Sequence, residues 1–267
     1  MSAKKICIIG GGNLGISILE GILSSHFVEP QNIIVTKRNL NTLQHLKTRK
    51  INITSDNPKS VKDSDIIILC VKPFNVKEVL EDIKESFQSS KNKILISTVT
   101  GIAIEEYEHI LGKDKKIYRA MPNTAIAVKE SMTCICKNGN TLEEDDLYIQ
   151  KFFNQVGKTI IIEEKYMDAS TVIGACGIAY ALRFIRASIQ GGIEIGFNAK
   201  VAGEITAQTV KGAASLLIET QHHPEEEIDK VTTPMGCTIR GLNEMEHHGF
   251  SSSLMRGIIA SYNKIKE

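Results

Sequence analysis

The sequence lacks an excess of either charge. Its 267 residues include 32 basic and 31 acidic side chains, a formal net charge of +1. Such a balance supplies no field for nucleic acid or an anionic membrane surface, and neither partner is expected. No apolar run approaches the roughly 20 residues of a bilayer span, so no membrane segment is expected. The amino terminus has two lysines, but its apolar run enters glycines and not a cleavage site, so a signal peptide is not expected and a cytoplasmic location is. Metal-ligand patterns are also missing: there is no HExxH and no CxxC. Cys134 and Cys136 have no second pair at ligand spacing, and alternate strand residues point to opposite faces. His222-His223 and His247-His248 lie in polar stretches near helix ends and read as solvated. No metal site is expected. Repeats and low-complexity linkers are absent.

What is present begins with glycine. Lys4-Lys5-Ile6-Cys7-Ile8-Ile9 enters Gly10-Gly11-Gly12-Asn13-Leu14-Gly15, and Ile16 to Leu23 follows with helical spacing. A buried strand, a tight turn and a helix N-terminus are what a dinucleotide pyrophosphate needs. Gly10 permits the turn, Gly12 lets backbone approach phosphate, and Gly15 lets the helix pack on the sheet. The helix start offers unpaired N–H groups to the anion. The bland alternative is a glycine-tolerant turn between strand and helix.

Ile33-Ile34-Val35-Thr36 is a β-branched second strand. An acid about 20 positions past the glycines binds ribose hydroxyls in NAD proteins. Here Lys37 and Arg38 occupy that place. Two cations attract a 2′-phosphate, which selects NADPH and leaves NADH as a second donor. A solvated basic turn is the competing reading. Ile51 to Ile53 is a third strand, Asn57-Pro58 a turn before a short helix, and Ile66 to Val71 a continuous apolar run of the central parallel kind. It stops at Lys72-Pro73, at the edge where such sheets deliver residues to a ligand crevice. Asn75 to Phe87 reads as a helix, and Lys93 to Ser97 as a strand ending in Thr98-Val99-Thr100. A helix over Ile104 to Leu111, a strand over Lys116 to Arg119, and the abrupt loop Met121-Pro122-Asn123-Thr124 come next. Ser131 to Cys136, Glu143 to Val156 and Thr159 to Ile162 read as strand, helix and strand.

The pattern changes near residue 164. No clear strand follows Met167; helices are expected over Asp168 to Gly196, Ala199 to Glu219, Ile239 to His247 and Ser252 to Lys266. The fold class is therefore α/β: residues 1–164 form a Rossmann dinucleotide-binding domain, and residues 165–267 an all-helical domain for substrate and dimerisation. Small residues such as Ala202-Gly203, Ala207 and Gly212-Ala213-Ala214 allow close helix packing. A helical half this small closes its core against a second subunit, giving a homodimer or a larger assembly of dimers.

Val231 to Leu242 contains Thr233-Pro234-Met235-Gly236-Cys237-Thr238, a proline-glycine turn opening a helix. It resembles the (T/S)-P-G-G-x-T-x-x-G-L segment of pyrroline-5-carboxylate reductases. Gly11 to Gly15 is similar to that family's glycine loop, Asn57 falls in its N-x-x-x-V stretch, and Val71-Lys72-Pro73 matches its V-K-P. Arg119 with Met121 to Thr124 resembles R-x-M-P-N-T, Glu164 with Met167-Asp168 resembles E-x-x-M-D, and Ala207 to Ala213 resembles A-x-Q-T-x-x-G. There are departures. The family's S-G-S-G-P-A-Y is here Gly174 to Tyr180, without serines or proline; its P-G-G is Pro234-Met235-Gly236; and Phe74 stands where a polar residue usually follows V-K-P.

The resemblance implies reduction of 1-pyrroline-5-carboxylate to L-proline by NAD(P)H, the last step of proline biosynthesis. It places Gly10, Gly12, Asn13, Leu14, Gly15, Lys37, Arg38, Asn57, Val71, Lys72, Pro73, Thr98, Thr100 and Asn123 at the cofactor. A cyclic imino acid carboxylate would take backbone N–H donors from Gly236, Cys237 and Thr238. Thr238 would orient the ring nitrogen and relay its proton, or serve only as a helix N-cap. Glu164 would face the substrate, or lie on the surface beside Glu163. Cys176 has no histidine nearby in sequence, and imine reduction needs no nucleophile. Arg240 reads as solvated. Two other functions compete: an NADP-linked dehydrogenase of the β-hydroxyacid type, and a non-catalytic NADP sensor.

Overall fold

The computed structural model describes residues 4–267. They form two compact units: one runs to Ile178 and takes in Lys264–Glu267, the other is Ala179–Asn263.

The first unit is built on eight strands in the order β3-β2-β1-β4-β5-β6-β7-β8. They are β1 (Ile6–Ile9), β2 (Ile33–Thr36), β3 (Asn52–Thr54), β4 (Ile66–Leu69), β5 (Ile94–Ser97), β6 (Lys116–Met121), β7 (Ser131–Lys137) and β8 (Gly157–Ile161). All neighbours are parallel except β6 and β7. The reversal follows from the connection. Only the short 3₁₀ turn Thr124–Val128 joins β6 to β7, too little chain for a parallel crossover. Five helices flank the sheet: α1 (Asn13–Ser25), α2 (Asn57–Lys62), α3 (Val76–Gln88), α4 (Ile104–Leu111) and α5 (Glu143–Asn154). Every residue of β1, β4 and β5 is buried, which is why these strands read as continuous apolar runs. Alternation splits the core in two: Ile6 and Ile8 pack with Ile18, Leu19 and Phe152 on one face, while Cys7 and Ile9 pack with Leu80, Phe87 and Tyr107 on the other.

Buried charges are tied down. Lys93 lies at the start of β5 with its Nζ donating to the carbonyl oxygens of Val61, Lys62 and Ser64 at 2.8, 2.9 and 2.6 Å. It thus ties the end of α2 and the turn that follows it to the start of β5. Burial lowers its pKa, against the pull of Asp65 and Asp63. At the start of α5, Lys116 pairs with Asp145 at 2.7 Å, and Asp146 accepts from the Tyr118 hydroxyl at 2.6 Å and from Lys137.

Past β8, a short turn of helix, α6 (Met167–Ser170), runs through a π-helical stretch (Thr171–Cys176) into α7 (Gly177–Glu194). A continuous α-helix over Asp168 to Gly196 was the expectation. The wider π turn stands where the Asn123 side chain donates to the Gly174 carbonyl at 3.1 Å. The helical run Glu164–Glu194 is long and apolar enough to span a bilayer by length and composition, and only 6% of its most apolar window is buried. Glycine and alanine keep it from reading as a hydrophobic run.

The second unit is helical: most of α7, then α8 (Ala199–Thr220), α9 (Pro224–Lys230), α10 (Cys237–His247) and most of α11 (Phe250–Lys266). Among the described residues no strand follows β8. Helix α9 is unannounced by hydrophobic periodicity; Pro224 at its first turn and His223, whose ring accepts from the Glu225 N–H, start it. Ala202 packs where a side chain at Gly192 would come within 3.1 Å of it. The Phe184 and Phe250 rings meet at 6.3 Å, and the Tyr180 and Ser261 hydroxyls at 2.6 Å.

Candidate functional site

The carboxyl ends of β1, β2, β4 and β5 converge, and most cofactor candidates lie there. The N–H groups of Gly10 and Gly11 donate to the Thr36 carbonyl at 3.1 and 2.9 Å, which locks the glycine turn to the end of β2. Gly10 has φ +110°, and a Cβ there would sit 2.4 Å from the Cys70 carbonyl oxygen. Gly15 meets the Gly10 carbonyl just as closely, at 2.1 Å from an added Cβ. Gly12 is the N-cap of α1 and supplies no side chain, so the N–H groups of Asn13, Leu14 and Gly15 have no intrahelical acceptor and no side-chain cap. That is an anion seat.

Beside it opens a cleft of about 350 Å³ lined by Gly11, Gly12, Asn13, Ile16, Ser17, Lys37, Thr42 and Leu43. Lys37 reaches into its lining with Nζ 2.8 Å from the Thr42 hydroxyl. Arg38 is exposed and does not line it. Thr42 belongs to a 3₁₀ run, Leu40–Arg49, that follows β2. Its sequence offers no motif, which is why it escapes a reading by pattern.

Other candidates occupy this rim with their side chains already committed. Asn57, in the first turn of α2, accepts from the Thr36 hydroxyl at 2.7 Å and donates to Asp82 at 3.2 Å. Thr98 donates to the Leu69 carbonyl at 2.9 Å. Val71 abuts Gly10, and Lys72 precedes the 3₁₀ turn Pro73–Asn75, which leaves Phe74 in solvent. Thr100 lies half-buried after β5, near the Met121 sulfur. Asn123 accepts from the Ala125 N–H at 3.0 Å while it holds Gly174.

Glu164 has a packing role in this structure. Its Oε1 accepts from the Ile104 N–H at the start of α4 at 2.7 Å and from Arg119 Nη1 at 2.9 Å. Arg119 is 4% exposed, with Asp168 at 3.8 Å, and its Nε and Nη2 have no hydrogen-bond partner among the described residues. Burial raises the Cys176 thiol pKa, which disfavours the thiolate a nucleophile needs.

In the second unit, the turn before α10 differs from expectation in detail. The helix starts at Cys237 with Gly236 as N-cap, so Thr238 lies inside the first turn and is not a cap. The Gly236 N–H donates to the Thr233 carbonyl at 2.9 Å. Of the three backbone donors expected for a carboxylate, that one is spent, and those of Cys237 and Thr238 remain at the helix start. The Thr238 hydroxyl makes no hydrogen bond among the described residues. Met235 holds φ +60° with its side chain fully exposed.

Comparison with known proteins places this geometry. Residues 164–267 match a family model described as pyrroline-5-carboxylate reductase dimerisation, and residues 5–101 one described as NADP oxidoreductase coenzyme F420-dependent. Pyrroline-5-carboxylate reductase 1 of Dictyostelium discoideum is 45% identical over 97% of this chain, which spans 49% of that protein's length. Pyrroline-5-carboxylate reductase 2 of the same organism is 44% identical, with 98% of this chain and 92% of the relative covered. The crystal structure of Plasmodium falciparum pyrroline carboxylate reductase with NADP bound is similar with a TM-score of 0.91 at 30% identity, covering 100% of this chain and 98% of that one. With a nearly full-length relative at that identity and a helical half that matches the dimerisation model, the chain belongs to the pyrroline-5-carboxylate reductase family.

Proposed function

We propose that this protein is an oxidoreductase that reduces the C=N bond of 1-pyrroline-5-carboxylate to give L-proline, the final step of proline biosynthesis, with NADPH as preferred donor and NADH as a second. The observation that carries the reading is the 44% identity to a pyrroline-5-carboxylate reductase across almost the whole of both chains. The glycine turn fits the cofactor: an unhindered N-cap and unpaired N–H groups stand ready for a pyrophosphate, beside a cleft with a lysine in it. A hydroxyacid dehydrogenase or a silent NADP sensor is disfavoured by the full-length match.

The bound cofactor supplies the hydride. The chain's own residues bind and orient. The N–H groups of Asn13, Leu14 and Gly15 would hold pyrophosphate, and Lys37 and Arg38 the 2′-phosphate. Asn57, Val71, Lys72, Pro73, Thr98, Thr100 and Asn123 would shape the rim, largely through backbone, since several of their side chains are engaged within the fold. The N–H groups of Cys237 and Thr238 would hold the substrate carboxylate, and the Thr238 hydroxyl, unengaged in the protomer, would hold the ring nitrogen. A threonine hydroxyl is a poor acid at its ordinary acidity, so solvent is the final proton source. Glu164 would reach the substrate through Oε2, since Oε1 is engaged. Residues 1–164 would serve the cofactor and residues 165–267 the substrate and subunit contacts, in a homo-oligomer of dimers located in the cytoplasm, without nucleic-acid or membrane partners.

The test is NADPH oxidation with pyrroline-5-carboxylate, against a hydroxyacid and a ketoacid as controls. Thr238→Ala should lower kcat by about tenfold or more and leave NADPH affinity within about twofold. An unchanged kcat removes Thr238 from the mechanism.

A further inference from the structure

Lys37 is one of two adjacent cations at the end of β2, and the structure separates them. Lys37 lines the cleft beside the glycine turn, whereas Arg38 is exposed outside its lining. The partner of Lys37 is the Thr42 hydroxyl, 2.8 Å away on the 3₁₀ run. In that bond the ammonium donates and the hydroxyl oxygen accepts. Two ammonium N–H donors and the threonine O–H therefore remain for a ligand. All of them border one cleft, next to an anion seat.

The 3₁₀ run is fixed on both sides. Leu43 and Leu46 are buried, and Leu43 packs so closely on the glycine turn that a Cβ on Gly11 would lie 2.9 Å from it. At the start, Asn39 accepts from the Asn41 N–H; at the far end, Arg49 forms a two-pronged pair with Glu20 of α1. Thr42 is thus carried on a rigid piece of backbone, and it steadies a lysine that would otherwise sample many rotamers.

We infer that Thr42 and Lys37 together form the main element that reads the 2′-phosphate of the dinucleotide, and that Arg38 contributes less than either. This rests on the NADPH reading above and names the residue that sharpens it. A dianionic phosphate monoester offers acceptors for all three donors. The plain 2′-hydroxyl of NADH brings no charge and needs no lysine, so the pair discriminates between the two donors.

Isothermal titration of the full-length protein with 2′,5′-ADP and with 5′-ADP tests this, with a thermal melt to show that each variant is folded. Thr42→Val should weaken 2′,5′-ADP binding by about tenfold and leave 5′-ADP within about twofold. Thr42→Ser should restore most of the loss. Arg38→Ala should weaken 2′,5′-ADP by less than Thr42→Val does. An equal loss for both nucleotides in Thr42→Val, no loss at all, no rescue by serine, or a larger loss in Arg38→Ala would each overturn the proposal. A wild-type protein that does not prefer 2′,5′-ADP would overturn the NADPH reading itself, and this inference with it.

Discussion

The two units bury different things. In the first, four-residue strands such as β1, β4 and β5 are covered on both faces, and large side chains such as Phe87, Tyr107 and Phe153 are wholly enclosed. In the second, Ala202 is the one hydrophobic residue that is buried among the described residues, while Leu182, Ile195, Leu216, Ile218, Leu254 and Ile259 lie exposed on its helices. One unit completes its own core; the other presents apolar helix faces, and its segment matches a dimerisation model. The protein is a homo-oligomer, and these apolar faces are the surface proposed for its second copy.

The largest effects should separate the units by concentration dependence. Phe87→Ala leaves a cavity under α3 and should cost about 3–5 kcal/mol, read as a lowered denaturation midpoint that does not move with protein concentration. Leu182→Asp on α7 should cost about 2–4 kcal/mol per subunit, read as a midpoint that falls with dilution and as a smaller species in sedimentation. The control is Leu147→Asp on α5, also exposed but in the first unit, which should stay within about 0.5 kcal/mol of wild type. A Leu182→Asp protein that sediments like wild type breaks the comparison.

The same contrast governs what can be read from sequence. The central strands are legible nearly to the residue: Ile33 to Thr36 coincides with β2, and the run from Ile66 loses only its last two residues. Burial on both faces writes itself as an unbroken apolar word. The glycine turn is legible because Gly10 and Gly15 each answer a close backbone approach, while Gly12 leaves the helix start uncapped. The less legible features depend on contacts made across long stretches of chain. Lys93 looks like a surface lysine until three carbonyls, from Val61, Lys62 and Ser64, are seen around it. Glu164 carries a family motif, yet its engagement with Ile104 and Arg119 comes from residues 60 and 45 positions away. Thr42 has no pattern at all. In the second unit, helix starts depend on caps more than on periodicity, so α9 is missed and α10 begins two residues early, with Thr238 moved from the cap into the first turn.

Acid should act on the first unit at Asp146. Burial pushes its carboxyl pKa up, but hydrogen bonds from Lys137 and Tyr118 outweigh that and hold it below the usual carboxylate value. A depressed carboxylate contributes stability above its unfolded pKa of about 3.9 and loses it as pH falls through the lower folded value. Asp146→Asn should therefore cost about 1–2 kcal/mol near neutral pH, and the gap from wild type should close as pH drops below about 4. Urea titrations across that range measure it. In the second unit Glu227 is also depressed, by Lys230 and His222, but both of those partners are exposed and the pairs are screened by solvent. Glu227→Gln should leave the acid limb unmoved.

The smallest effect lies at the turn before α10. Met235 holds a left-handed backbone at φ +60° with its side chain wholly in solvent. A Cβ in that region costs about 1 kcal/mol, and the exposed thioether returns no packing within the protomer. Glycine removes the steric cost but adds freedom to the unfolded chain, so Met235→Gly should stabilise by only about 0.5 kcal/mol. The sharper readout is kinetic. The N–H groups of Cys237 and Thr238 depend on Gly236 for their direction, and Gly236 is held by its own N–H on the Thr233 carbonyl. If that bond alone sets the turn, Met235→Gly should leave KM for pyrroline-5-carboxylate within about twofold while the melting temperature rises slightly. A KM that moves by about tenfold with no loss of stability would mean that the methionine itself touches what binds there, and that this exposed side chain belongs to the substrate site rather than to the turn.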